Sequence, residues 1–108
     1  MTTAKEVYER KDDVQILDVR EPYEWDAGHV EGSVHVPLAQ VMAGAAQEQL
    51  AGDRPVVVIC RSGNRSELAA LMLQARGVDA ENVEGGLEDW ARLGLPLVDS
   101  NDGPGRVA

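Results

Sequence analysis

Cysteine is nearly absent: the 108-residue chain has one, Cys60. A lone thiol excludes an internal disulfide. With no signal-peptide-like start, the expected compartment is a reducing cytoplasm. Phenylalanine is missing, and two tryptophans and two tyrosines are the only aromatics. Aliphatic side chains must therefore build most of the core, with Trp25 and Trp90 expected as packing at the core or its edge. No apolar run approaches the roughly 20 residues that a membrane span needs. Positive charge is also scarce, with ten Lys and Arg against nineteen Asp and Glu and a net charge of -9. That balance argues against nucleic acid or anionic lipid as a partner, and most of it reads as a solvated acidic surface. What remains is ordinary for a folded chain. Hydrophobic residues make up 44%, which is enough for one core. The expected organisation is one domain over residues 1–98 and a flexible tail over 99–108, rich in Asp, Asn, Gly and Pro. A monomer is the expected state.

Apolar patterning orders the segments. Thr3 to Arg10 reads as a short amphipathic helix capped at Thr2 or Thr3. Val14-Gln15-Ile16-Leu17-Asp18-Val19 reads as a buried strand. Pro22 is suited to the first turn of a short helix. Val34-His35-Val36 is a short strand stopped by Pro37. Leu38, Val41, Met42, Ala45 and Gln49 or Leu50 follow helical spacing up to Gly52. Pro55 to Ile59 is the most hydrophobic strand. Leu68, Leu71, Met72 and Ala75 are expected to form the buried face of the next helix, which stops at Gly77. Glu81-Asn82-Val83 is a weak last strand, and Gly85-Gly86 turns into a final helix through Trp90 and Leu93. Met42 and Met72 are expected in the core. Strands alternate with helices, which implies an α/β fold with a parallel sheet covered on both faces. Functional residues in such folds gather at the carboxyl ends of strands, where Cys60 and Asp18 both fall.

The segment Cys60-Arg61-Ser62-Gly63-Asn64-Arg65-Ser66 joins the central strand to a helix. The reactive form of cysteine is the thiolate, and three features here favour an anion. The following helix points its positive N-terminal end at the loop. Loop N–H groups from Arg61 to Ser66 lack strand partners and can converge on one anion. Arg61 and Arg65 form a positive island in an acidic chain. Gly63 permits the sharp backbone bend, and Asn64 with Glu67 has capping-box spacing. Glu67 opposes the effect with its negative charge. A merely buried cysteine accounts for the strand end but not for the Arg-Ser-Gly-Asn-Arg-Ser that follows it.

These residues resemble the active-site loop of rhodanese-type sulfurtransferases. Leu17-Asp18-Val19-Arg20-Glu21, continuing through Glu24-Trp25 to Gly28-His29-Val30-Glu31-Gly32-Ser33 and Val36-Pro37, is similar to the first signature of that family. Val83-Glu84-Gly85-Gly86 with Trp90 resembles the segment near its end. The match runs from Val14 to Pro96 in order. The resemblance implies a rhodanese-like three-layer α/β fold, a mostly parallel sheet of about five strands flanked by helices. The strand that usually precedes the first helix is missing or very short, so a weak sheet edge is expected near the N-terminus.

The resemblance also implies a chemistry. Cys60 is the nucleophile and persulfide carrier. Arg61, Ser62, Gly63, Asn64, Arg65 and Ser66 bind a small anionic sulfur donor such as thiosulfate, through loop amides and the two guanidinium groups. A thiol, a cyanide-like acceptor, or a thioredoxin-like or sulfur-relay protein takes the sulfur. No metal or organic cofactor is required. Asp18 is expected to brace the Cys60 loop through its N–H groups, with Arg20 in a supporting ion pair with Glu21 or another carboxylate. Two alternatives stand beside this reading. A carrier or docking module would show little turnover of free donor. A cysteine phosphatase or arsenate reductase would place five residues between the cysteine and an arginine, but that position is Ser66, and Arg65 comes one residue early. His29 and His35 suggest a Cys–His dyad, but the family that the chain resembles uses no histidine base, and His29 reads as a loop hydrogen-bonding residue; with Cys60 the two histidines also lack the spacing of metal ligands.

Overall fold

The computed structural model describes residues 2–108. Its centre is one sheet of five parallel strands in the order β1-β5-β4-β2-β3. The strands are β1 (Thr2–Thr3), β2 (Gln15–Asp18), β3 (Val34–His35), β4 (Val56–Ile59) and β5 (Ala80–Glu84). The helices between and after them are α1 (Ala4–Glu9), α2 (Pro22–Ala27), α3 (Leu38–Met42), α4 (Asn64–Ala75) and α5 (Gly86–Arg92). The expected weak edge is β1, paired among the described residues through Thr2 with Val83 and Thr3 with Glu84. Thr3 also caps α1. Its hydroxyl accepts from the Glu6 amide, and the Glu6 carboxylate accepts from the Thr3 amide.

Every residue of β2 and β4 is buried, as expected for parallel strands with helices on both faces. The two-residue side-chain period then divides β4 between two cores. Val56, Val58 and Cys60 join Leu17, Val41, Ala69 and Leu73 on the α3/α4 side. Val57 and Ile59 join Val7, Leu87 and Trp90 on the α1/α5 side. Cys60 therefore emerges on the face from which α4 begins. Asp18 is in register with Ile59, so the ends of β2 and β4 lie side by side.

Two helices differ from the sequence expectation. The segment after Pro37 is helical only to Met42; Gly44 takes the left-handed conformation (φ +93) and a separate 3₁₀ turn covers Gln47–Gln49. Helical spacing of apolar residues persists across a break, so it does not reveal one. In α4 the buried residues are Ser66, Ala69, Ala70 and Leu73, whereas Leu68 and Leu71 are 47% and 57% exposed. The small alanines allow α4 to lie close to the sheet and leave the leucines outside. Met42 and Met72 are only half-buried.

The segment from Asp99 folds back on the body. Val98 bridges His29 and Pro104. The Asp99 carboxylate accepts from the amides of Asn101 and Gly103, and the Arg106 amide donates to the Ala27 carbonyl. No helix among the described residues is long and apolar enough to cross a membrane.

Candidate functional site at the carboxyl end of the central strand

Cys60 is almost completely buried, and three groups converge on its sulfur. The Gly63 amide donates to Sγ at 3.1 Å and the Ser66 amide at 3.4 Å. The Ser66 hydroxyl lies 3.2 Å away. The backbone orientation that aims these amides inward has a cause outside the loop. The carbonyls of Cys60 and Arg61 point outward and accept from the amides of Leu87 and Glu88, at the start of α5, at 2.8 and 2.9 Å. With the first carbonyls of the loop turned toward α5, its later N–H groups turn toward the thiol. The close approach needs Gly86: any Cβ there would strike the Cys60 and Arg61 carbonyl oxygens. In the sequence Gly85-Gly86 reads as a turn and as part of the resemblance near the end of the match, without this contact to the loop.

Gly63, not Asn64, is the N-cap of α4, in the left-handed conformation at φ +108. The expected Asn64–Glu67 capping box is not formed. The bend that points the Gly63 amide at Sγ starts the helix one residue earlier than that box requires, so Asn64 becomes its first residue instead of its cap. Ser62 and Asn64 are exposed on the loop. A residue that sequence reasoning passes over, Asn82 of β5, ties the loop together. Its Oδ1 accepts from the Ser66 hydroxyl at 2.5 Å, and its Nδ2 donates to the Gly63 carbonyl at 3.3 Å. Asparagine is a poor strand former, so its place between Ala80 and Val83 is the available sequence signal.

Arg65 is turned toward α2. Its guanidinium grips the Glu24 carboxylate with two bonds, at 2.7 and 2.9 Å. Glu24 is almost wholly buried and also accepts from the Glu21 amide. The Arg65 hydrogen bond holds the Glu24 carboxyl below its ordinary range, against the opposing effect of burial. The same bond raises Arg65 above an ordinary arginine, with smaller contributions from the charges of Glu24, Cys60 and Tyr23. Arg65 thus lies within electrostatic reach of the thiol. Arg61 is exposed and pairs with Glu88 at 3.2 Å. Glu24 and Glu88 are the other residues that the sequence reading leaves out, because partners so distant in the chain carry no local pattern.

Asp18 does not reach the N–H groups of the Cys60 loop. Its carboxylate accepts from the Arg20 amide and from Nε and Nη2 of the same arginine, and both side chains are buried. Of the partners expected for Arg20, Glu21 or another carboxylate, it takes the second, Asp18. The carboxylate ending β2 is nearer to Arg20, and burial demands a partner for each charge. Arg20 then donates to the carbonyls of Glu24 and Gly28. Asp18 therefore supports the loop indirectly, by fixing the helix that carries Glu24 and so Arg65. The histidines belong to this support as well. The His29 ring stacks on Trp25 at 3.6 Å and the His35 ring at 4.8 Å, while their ring nitrogens meet the carbonyls of Trp25 and Arg20. Trp90 is fully buried and donates to the Pro96 carbonyl.

A recess of about 400 Å³ is lined by Tyr8, Val14, Ile16, Val30 and Trp90 among others. It opens at the amino ends of the strands, away from Cys60. Among the described residues no cluster of three or more metal-ligating side chains is found.

A parallel α/β sheet with a cysteine loop cradled between α4 and α5 defines a class, and comparison with known proteins gives it a family. The rhodanese-like domain model matches residues 3–93, and the chain belongs to that family. A crystal structure of a rhodanese-related protein from Thermoplasma volcanium is 33% identical, with a TM-score of 0.82, over 91% of this chain and 98% of that one. YrkF of Bacillus subtilis, provisionally named a sulfur carrier protein, is 37% identical over 80% of this chain and 46% of its own length. MoeZ of Mycobacterium tuberculosis, provisionally named an adenylyltransferase/sulfurtransferase, is 36% identical over 75% of this chain and 21% of its own length. The chain therefore spans less than half the length of either of these two curated relatives.

Proposed function

We propose that the protein transfers sulfane sulfur through a persulfide on Cys60. The observation that carries this reading is the convergence of the Gly63 and Ser66 amides on the Cys60 sulfur. Such fixed donors stabilise an anionic sulfur before and after it gains a second sulfur. Thiosulfate or a related sulfane donor enters over the loop. The Cys60 thiolate attacks the outer sulfur and forms an S–S bond. The donor's own S–S bond breaks, and its electron pair leaves on sulfite. Charge balances, since a thiolate and a dianion give a persulfide anion and a dianion. A thiophilic acceptor then takes the outer sulfur and restores the thiolate. The exposed Ser62 and Asn64, with the Asn64 and Arg65 amides, which have no carbonyl partner within the helix, are the groups assigned to meet the arriving donor.

The count from Cys60 to Arg65, and the engagement of Arg65 with Glu24, disfavour the phosphatase alternative, which needs a free guanidinium for a tetrahedral phosphate. The carrier alternative gains support from the likeness to YrkF, with a thioredoxin-like or sulfur-relay protein as partner. Turnover separates the two. Thiocyanate formation from thiosulfate and cyanide, lost in Cys60→Ser, is expected of an enzyme. A persulfide that forms but turns over negligibly is expected of a carrier. Hydrolysis of an aryl phosphate without sulfur uptake contradicts both.

A further inference from the structure

We infer that the preferred donor is an organic persulfide rather than a doubly charged inorganic oxyanion; the inference rests on the sulfur-transfer reading and names its substrate class. Both arginines of the loop already carry a carboxylate. Glu24 takes both prongs of Arg65 and is too buried to swing away, and Glu88 takes Arg61. Each pair sums to zero charge. What remains positive is the N-terminal end of α4, equivalent to about half a charge, and the exposed Glu67 in its first turn opposes it. The chain beyond is strongly acidic, at -9. A dianion gains little from this mouth and is repelled by its surroundings. A persulfide sulfur bears at most one charge.

The surface beside Arg65 also suits an organic body. Tyr23 is 68% exposed and adjoins Glu24, the residue that grips Arg65. Leu68, 47% exposed, lies three residues along α4 from Arg65 and so on a neighbouring part of the helix surface. Free sulfite or sulfate groups have no use for such side chains, whereas the carbon chain of R–S–SH does. The step balances as Cys60–S⁻ plus R–S–SH giving Cys60–S–SH plus R–S⁻. The new bond joins Sγ to the outer sulfur, the old S–S bond breaks, and its electron pair leaves on the inner sulfur. The transferred sulfur keeps its proton, and the persulfide formed then ionises against the loop amides.

The test compares single-turnover loading of Cys60 by cysteine persulfide and by thiosulfate, followed by intact mass. Each rate is divided by that of the same donor with a free thiol, which removes intrinsic reactivity. The expected ratio favours the persulfide by about tenfold or more. Salt supplies a test of sign: screening should speed thiosulfate loading if repulsion limits it, and leave the persulfide nearly unchanged. Glu88→Gln, on the exposed pair, should shift the ratio toward thiosulfate, and Glu24→Gln should shift it further. Thiosulfate loading that equals that of the persulfide and slows with salt overturns the inference while leaving sulfur transfer intact. If neither donor places a sulfur on Cys60, the sulfur-transfer reading fails, and this inference with it.

Discussion

Ser66 has one hydroxyl proton and two neighbours that accept it, the Asn82 Oδ1 at 2.5 Å and the Cys60 sulfur at 3.2 Å. While Cys60 is a thiol, the proton of Ser66 can stay on Asn82 and the thiol can donate to the hydroxyl oxygen. Once Cys60 ionises, the serine proton serves the sulfur better, as a charge-assisted bond. Ser66→Ala removes that response and leaves Asn82 Oδ1 without its donor. Sulfur loading of Cys60 should slow by about tenfold or more, with a stability loss of about 1 kcal/mol, read from loading rates and urea midpoints. An unchanged loading rate removes Ser66 from the site. Local sequence identifies Cys60, Gly63 and Ser66, because a single segment holds them. It does not identify Glu24 or Asn82, which reach the loop across 41 and 16 residues of chain.

Among the elements, α4 separates what periodicity reveals from what it hides. The helix has apolar residues around most of its circumference, so two stripes fit the 3.6-residue period equally well. The sheet selects the stripe of small residues, Ser66, Ala69, Ala70 and Leu73, and Ser66 is thereby turned toward Cys60. The consequence is measurable. Leu73→Ala, at a site with no exposure, should cost about 2–5 kcal/mol. Leu71→Ser, at 57% exposure, should stay within about 0.5 kcal/mol. Urea unfolding of the two variants checks the pair, and a reversed order contradicts the orientation of α4. The strands are easier to read than the helices, because β4 is a short unbroken apolar run and β2 a short β-rich one centred on Ile16 and Leu17. The break after α3 depends on one left-handed glycine, Gly44, which apolar spacing does not report.

At the scale of the whole molecule, the buried pair Asp18–Arg20 and the half-buried pair Glu24–Arg65 link the ends of β2, α2 and α4 around the loop. The second pair gives the fold a dependence on acid. Arg65 holds the Glu24 carboxyl below its ordinary value of about 4.5. A carboxyl with a depressed folded value stabilises the fold above the unfolded value, and that contribution is lost as pH falls through the folded one. Wild type should therefore exceed Arg65→Ala in stability by a constant margin above about pH 4.5, narrowing steadily in more acidic solution, as followed by urea midpoints across a pH series. A margin independent of pH contradicts the pairing.

The arrangement of sheet, loop and supporting pairs serves one atom, the Cys60 sulfur. The most direct measurement is the intact mass of the protein after incubation with a sulfane-sulfur donor and removal of the excess. The account predicts that wild type gains one sulfur, that cyanide or a thiol removes it, and that Cys60→Ala gains none. A wild-type mass that never changes with either thiosulfate or an organic persulfide, or an added sulfur that persists in Cys60→Ala, contradicts it.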